Sequence, residues 1–260
     1  MRQNHDFNLE SLLKLIAIIA MTLDHVGLFF LSDNSMLRVI GRLAFPIFAF
    51  FMGKNLSISK SSSVLRYNLI LPAILVQILM YALMINKVNI LFSFLLGSCF
   101  VKYYRVLNLQ YLNKGIVIII LILGLYSIFS EINTEYKLLP FVFMTIGYIS
   151  VNTRSRKVFV RLTIVTFVLY FIYTHREFSE YFGNYGLILF LLEITILCLI
   201  FICFNYRVLI YKINTQDIGI SFVNVFMYFL NKVSKNSLML YVVQLFVFGI
   251  WRGVYNHDFF

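Results

Sequence analysis

Two adjacent ionisable residues, Asp24 and His25, lie inside an apolar run of membrane length, 12–31, and two arginines, Arg38 and Arg42, stand at the head of the next one. An ionisable side chain in hydrocarbon costs from about 3 to more than 10 kcal/mol. Such residues therefore persist where they have partners, a polar cavity or a task. Arg38 and Arg42 are four residues apart and share a helix face. Two like charges there need an anion opposite, and Asp24 is the nearest, so the spacing predicts an Asp24–Arg42 bridge. Successive residues on a helix point about 100° apart, which makes Asp24 a poor orienter of His25 and leaves the imidazole to face a cavity. A near-neutral imidazole can take a proton from an amine or hydroxyl, or accept a group covalently. The competing reading is structural: an Asp–Arg pair locks the first two helices, with His25 hydrogen-bonded beside it.

The elements that must position these residues are apolar helices. Of 260 residues, 61% are hydrophobic and 13% charged, with a mean hydropathy of +0.86. A soluble domain carries about a quarter charged residues. The apolar sequence falls into stretches of about 15–22 residues, and about 20 residues cross a bilayer as a helix. The expected fold is all-α: a polytopic integral membrane bundle of about nine (8–10) transmembrane helices, forming a single membrane domain over 1–260 with no soluble domain. Spans are expected near 12–31, 36–53, 64–85, 88–102, 115–132, 138–152, 157–174, 185–205 and 236–254. The segment 206–235 reads as a cytoplasmic loop whose short apolar stretch, 218–230, is either an interfacial helix or a further span. The first run carries no cleavage signature and is expected to remain as a membrane helix.

Basic residues alternate between connections. Lys54, Lys60 and Arg66 fall in one, Lys102, Arg105 and Lys114 in another, and Arg154, Arg156, Lys157 and Arg161 in a third. The positive-inside rule puts these connections and the N-terminus in the cytoplasm. Asp24, His25, Arg38, Arg42, Gln77 and Glu193 then share the outer half of the bundle, where one polar cavity would account for them together. Gln77 can equally be interhelical glue, and Glu193 can snorkel or pair with Arg38. Pro46 is expected to kink or open the second helix beside the cavity. The net charge of +11 fits basic inner loops and calls for no nucleic acid; those loops could also hold an anionic cytosolic ligand. Cys99, Cys198 and Cys203 read as small buried hydrophobes, and no spacing suggests a metal site.

The run Leu13-Lys14-Leu15-Ile16-Ala17 through Met21-Thr22-Leu23-Asp24-His25-Val26-Gly27, followed by Gly41-Arg42-Leu43-Ala44-Phe45-Pro46-Ile47-Phe48, resembles the TraX family. Asn89-Ile90-Leu91-Phe92-Ser93-Phe94-Leu95-Leu96-Gly97 is similar to a further segment of it. The resemblance implies an acyltransferase of the bacterial cytoplasmic (inner) membrane. Acetyl-CoA would be its donor substrate, and its acceptor would be a pilin N-terminus or another envelope amine or hydroxyl. It assigns catalysis to His25, Asp24 and Arg42. The CoA phosphates would meet Lys54 and Arg66, or Arg154 and Arg156. Arg38, Gln77 and Glu193 would line the substrate cavity. Near the C-terminus, family members often carry S-x-x-x-Y-x-x-H; here Ser237 and Tyr241 fit, and Gln244 takes the place of the histidine. Tyr241 and Gln244 are therefore also expected in the cavity, but Gln244 cannot serve as a base near neutral pH.

Two other functions use the same residues. Asp24, His25 and Glu193 could form a proton path in a transporter, which should show coupled flux without acetyl-CoA turnover. A non-catalytic assembly factor for a pilus or envelope complex should tolerate loss of His25.

Overall fold

The computed structural model describes residues 9–31, 36–58, 62–83, 85, 87–106, 139–152, 159–173 and 236–255, with scattered positions between 187 and 233. The described residues are all-α. Seven helices are α1 Leu9–Phe30, α2 Met36–Gly41, α3 Ala44–Ile58, α4 Ser62–Ala82, α5 Ile90–Val106, α6 Leu139–Asn152 and α7 Ser237–Tyr255. A further helical segment, Phe159–Tyr173, lies between α6 and α7. The expected span at 115–132, most of that at 185–205, and most of the 206–235 loop with its expected interfacial helix at 218–230 lie outside the described residues.

α3 lies at the centre and packs against α1, α5 and α6, while α1 also holds α2 and α7, and α4 packs on α5 and α7. Aromatic rings fill the middle. Phe143 sits edge-on to Phe45, Phe167 and Tyr170 at ring separations of 5.7, 6.2 and 5.5 Å, and Phe45 stacks on Phe94. α3 and α6 come into backbone contact through two glycines. A Cβ on Gly147 would meet the Phe50 carbonyl carbon at 2.8 Å and the Lys54 nitrogen at 3.0 Å; one on Gly53 would lie 2.8 Å from the Met144 Cα. Such small-residue seams let helix backbones touch.

The span expected at 36–53 is two helices rather than one. Proline has no N–H and its ring collides with the carbonyl four residues earlier; for Pro46 that carbonyl belongs to Arg42. The chain therefore turns at Arg42–Leu43, where Leu43 N–H bonds the Ile40 carbonyl at 3.1 Å. Pro46 then falls in the first turn of α3, where a missing N–H costs nothing. The released Arg42 carbonyl accepts the Tyr170 hydroxyl at 3.1 Å.

The corner between α4 and α5 is closed by the fully buried Asn89. Its Oδ1 accepts the N–H groups of Leu91 (2.9 Å) and Phe92 (3.3 Å), which caps α5. Its amide donates to the Ala73 carbonyl at 2.8 Å and to Gln77 Oε1 at 3.1 Å. Gln77 in turn accepts the Asn89 N–H and donates to the Lys87 carbonyl. Substituting Asn89 by leucine strands several buried groups at once. We expect a loss of about 2–5 kcal/mol, read as a lowered midpoint of thermal unfolding in detergent. A midpoint equal to wild type would show that this corner contributes nothing.

One helix among the described residues, Glu10–Phe30, is long and apolar enough to cross a membrane, and six shorter apolar helices accompany it. Apolar residues also cover outward faces. On α4, Leu69, Ala73, Val76 and Met80 are buried, while Leu71, Ile74, Leu75, Ile78 and Tyr81 are exposed. On α7, Met239, Val243, Val247, Ile250 and Trp251 are exposed. A helix apolar on every side belongs to a large core or to a membrane. Cys99, expected to be buried, is exposed, and Cys198 is half-buried.

Candidate functional site

Three helices build the site around His25. α1 carries Thr22, Asp24 and His25, α2 brings Arg38, and α7 brings Tyr241, Gln244 and Phe248. Apolar residues Ile18, Ala20 and Met21 of α1 bury against Ala44 of α3, with Leu240 and Tyr241 of α7 closing over them. This packing turns the polar side chains of α1 inward. α2 reaches α1 because Gly41 lies directly on Asp24; a Cβ at Gly41 would collide with the Asp24 side chain and backbone.

His25 is only 5% exposed. Its ring packs against Tyr241 at 5.5 Å, Phe29 at 6.4 Å and Phe248 at 6.5 Å. Asp24 precedes it on α1 and is paired with Arg38 of α2, and Gln244 lies on the same face of α7 as Tyr241 and Phe248, whose rings flank the imidazole. Arg38 Nε stands 3.5 Å from Asp24 Oδ1, so the bridge predicted from Arg42 is made by Arg38. The break before Pro46 is the cause: it places Arg42 in the turn and leaves Arg38 on the α2 face that Gly41 presses against α1. Gln244 Nε2 donates to Thr22 Oγ1 at 2.7 Å, and Thr22 Oγ1 donates to the Ile18 carbonyl at 2.8 Å. At the site, among the described residues, Asp24 Oδ1 (apart from its 3.5 Å ion pair), His25 Nδ1 and Gln244 Oε1 are buried polar atoms without a hydrogen-bond partner. All three are acceptors or potential acceptors, and a buried polar atom left unsatisfied costs about 1–3 kcal/mol. An inert core avoids that cost; a site for a hydrogen-bonding substrate tolerates it.

Asp24 and Arg38 are both mostly buried, so each depends on the other. Asp24→Asn and Arg38→Gln alone should each destabilise by about 2–4 kcal/mol, and the double variant by clearly less than their sum. A double-mutant cycle on unfolding in detergent reads this; strictly additive losses would mean that the pair is not coupled.

Other expected site residues lie elsewhere. Gln77 serves the α4–α5 corner rather than the His25 cavity. Lys54 binds Glu10 Oε2 at 2.8 Å, Lys14 binds Glu10 Oε1 at 2.7 Å, and both ammonium groups approach the Phe51 ring. This ionic cluster joins the start of α1 to the end of α3, about 20 Å along α1 from His25 at 1.5 Å per residue. The side chain of Arg66, together with Arg154, Arg156 and Glu193, lies outside the described residues. Among the described residues no group of three or more His, Cys, Asp or Glu side chains could hold a metal ion. Thr22 escaped the sequence reading. Its available signal was its place three residues before His25, on the same helix face.

Fold and site define a bundle of apolar helices that encloses a histidine with an aspartate–arginine pair beside it. The chain belongs to the TraX protein family, which it matches over residues 9–179. It is 29% identical over 244 residues to an uncharacterized protein of Rickettsia prowazekii (strain Madrid E), covering 92% of this chain and 90% of that one. It is 52% identical over 56 residues to a Dichelobacter nodosus protein named "Probable fimbrial assembly protein FimC, serogroup H1", covering 20% of this chain and 22% of that one. No solved structure matches.

Proposed function

We propose that the protein is a polytopic acetyltransferase of the bacterial cytoplasmic membrane, with its N-terminus inside, moving acetyl groups from cytosolic acetyl-CoA to an amine or hydroxyl acceptor on the outer side. The observation that carries the reading is the buried His25, whose Nδ1 closes no hydrogen bond among the described residues, set beside the Asp24–Arg38 pair and Gln244. The exposed apolar faces of α1, α4 and α7 support a bilayer as the surroundings. Membership of the TraX family supports acyl transfer, and the fimbrial assembly named for the D. nodosus relative supports a pilin as one acceptor.

In this reading His25 is the general base. It removes the proton from the acceptor nitrogen or oxygen as that atom attacks the thioester carbonyl. The carbon–sulfur bond then breaks, and the imidazolium returns its proton to the departing thiolate. The acetyl group moves, and the proton ends on the thiol of CoA. Asp24, held by Arg38, supplies negative charge near the developing imidazolium, and Arg42 sits at the turn that positions α2. Because Lys54 is engaged by Glu10, the CoA phosphates are assigned to Arg66, Arg154 and Arg156.

Labelled acetyl-CoA incubated with the purified protein in detergent tests this. Candidate acceptors are a peptide with a free N-terminal amine and a hydroxyl-bearing glycan. Transfer of label, or CoA release that depends on an acceptor, is expected. Absence of both with every acceptor would overturn the proposal.

A further inference from the structure

A base on a helix needs a partner that holds its ring, and Asp24, adjacent in sequence, points about 100° away. Hydrogen accounting across the α1–α7 interface identifies a different one. The Gln244 amide can sit either way round, since its nitrogen and oxygen have almost the same shape. Thr22 decides between the two. The single hydroxyl proton of Thr22 is committed to the Ile18 carbonyl at 2.8 Å, so Thr22 Oγ1 can only accept. Gln244 must therefore turn its NH2 to Thr22, as the 2.7 Å contact records. Its carbonyl oxygen is then turned away from Thr22, on the α7 face where Gln244 lies between Tyr241 and Phe248, the two residues whose rings flank the imidazole at 5.5 and 6.5 Å. That oxygen and His25 Nδ1 are both buried and neither has closed a hydrogen bond, a geometry that tightens when a catalytic base takes up charge.

We infer that Thr22 is a positioning residue: it fixes the Gln244 amide so that the Gln244 carbonyl oxygen accepts the ring N–H of His25, orienting the imidazole and holding it when it becomes protonated. The arrangement follows the general pattern of nucleophile or base, then orienting group, with an uncharged glutamine in the orienting place and a threonine behind it. The inference rests on His25 being the base of the proposed transfer, but the hydrogen-bond relay can be observed without turnover. The other polar groups facing His25 are Asp24 on its own helix, Arg38 on α2 and Tyr241 on α7, and none is altered by changing Thr22.

The test uses the full-length protein in detergent, labelled with 15N at histidine, with the His25 signals assigned by their loss in His25→Gln. Wild type should show a protected, hydrogen-bonded ring N–H and a single tautomer at His25. Thr22→Val removes the acceptor and retains the shape, freeing the Gln244 amide to rotate. The protected N–H should disappear, and kcat for acetyl transfer should fall by about 10- to 100-fold, with KM for acetyl-CoA changing less than twofold. Thr22→Ser should restore both. If the His25 ring signals are the same in wild type, Thr22→Val and Thr22→Ser, the inference fails whether or not acetyl transfer is found. If Thr22→Val alters the ring signals while no acceptor is acetylated by wild type, the relay stands and the acetyltransferase reading fails.

Discussion

Substituting His25 by alanine is expected to lower acetyl transfer by about 10²–10⁴-fold, the scale on which a positioned general base acts. The fold should survive. Alanine removes the ring contacts with Phe29, Tyr241 and Phe248 and leaves the Gln244 carbonyl oxygen without its proposed donor, while the Asp24–Arg38 pair is untouched. Removing a buried aromatic-sized side chain costs about 3–5 kcal/mol at most, so membrane insertion and the elution profile in detergent should be checked beside activity. His25→Gln separates the effects further, because it keeps volume and hydrogen bonding but cannot take a proton near neutral pH. Both variants should be equally inactive, while His25→Gln should be the more stable. Retained transfer in a folded His25→Ala protein would remove His25 from the chemistry and favour a proton path or an assembly role.

A large structural effect is expected at the α3–α6 seam. At Gly147 an added Cβ would press on the Phe50 carbonyl and lie 3.0 Å from the Lys54 nitrogen, and at Gly53 it would press on the Met144 backbone. Both neighbours are main chain, so no side chain can rotate away. The helices themselves must separate, taking Phe50, Val142, Phe143, Met144 and Ile146 out of close packing. Overpacking a core typically costs about 1–3 kcal/mol and occasionally more; against two rigid backbones the upper end applies. Gly147→Leu should prevent accumulation of folded protein, while Gly147→Ala and Gly53→Ala should each lower the unfolding midpoint. The natural comparison is Gly97, whose added Cβ would meet the Met144 thioether Sδ at 2.7 Å. That side chain is flexible, so Gly97→Ala should cost less than Gly147→Ala. The reverse order, measured by thermal unfolding in detergent, would show that the seam does not govern stability.

The sequence determined the helical class, the family and the approximate extent of most described helices, and it singled out the Asp24–His25 pair as the candidate site. Each of these rests on a local or periodic signal: runs of apolar residues, a charge where hydrocarbon should be, a motif. The spans expected at 138–152 and 236–254 correspond to α6 at Leu139–Asn152 and α7 at Ser237–Tyr255. The tertiary structure decided which polar groups meet. Arg38 and Arg42 are equivalent by spacing, and only the break forced by Pro46, with Gly41 seated on Asp24, gives Asp24 to Arg38. Gln77 and Gln244 are equally plausible cavity residues in the sequence. One is bound to Asn89 and the other to Thr22, 222 residues away along the chain. Hydrogen bonds have short range and strict direction, so their partners follow from how helices are set against each other, which apolar periodicity does not encode.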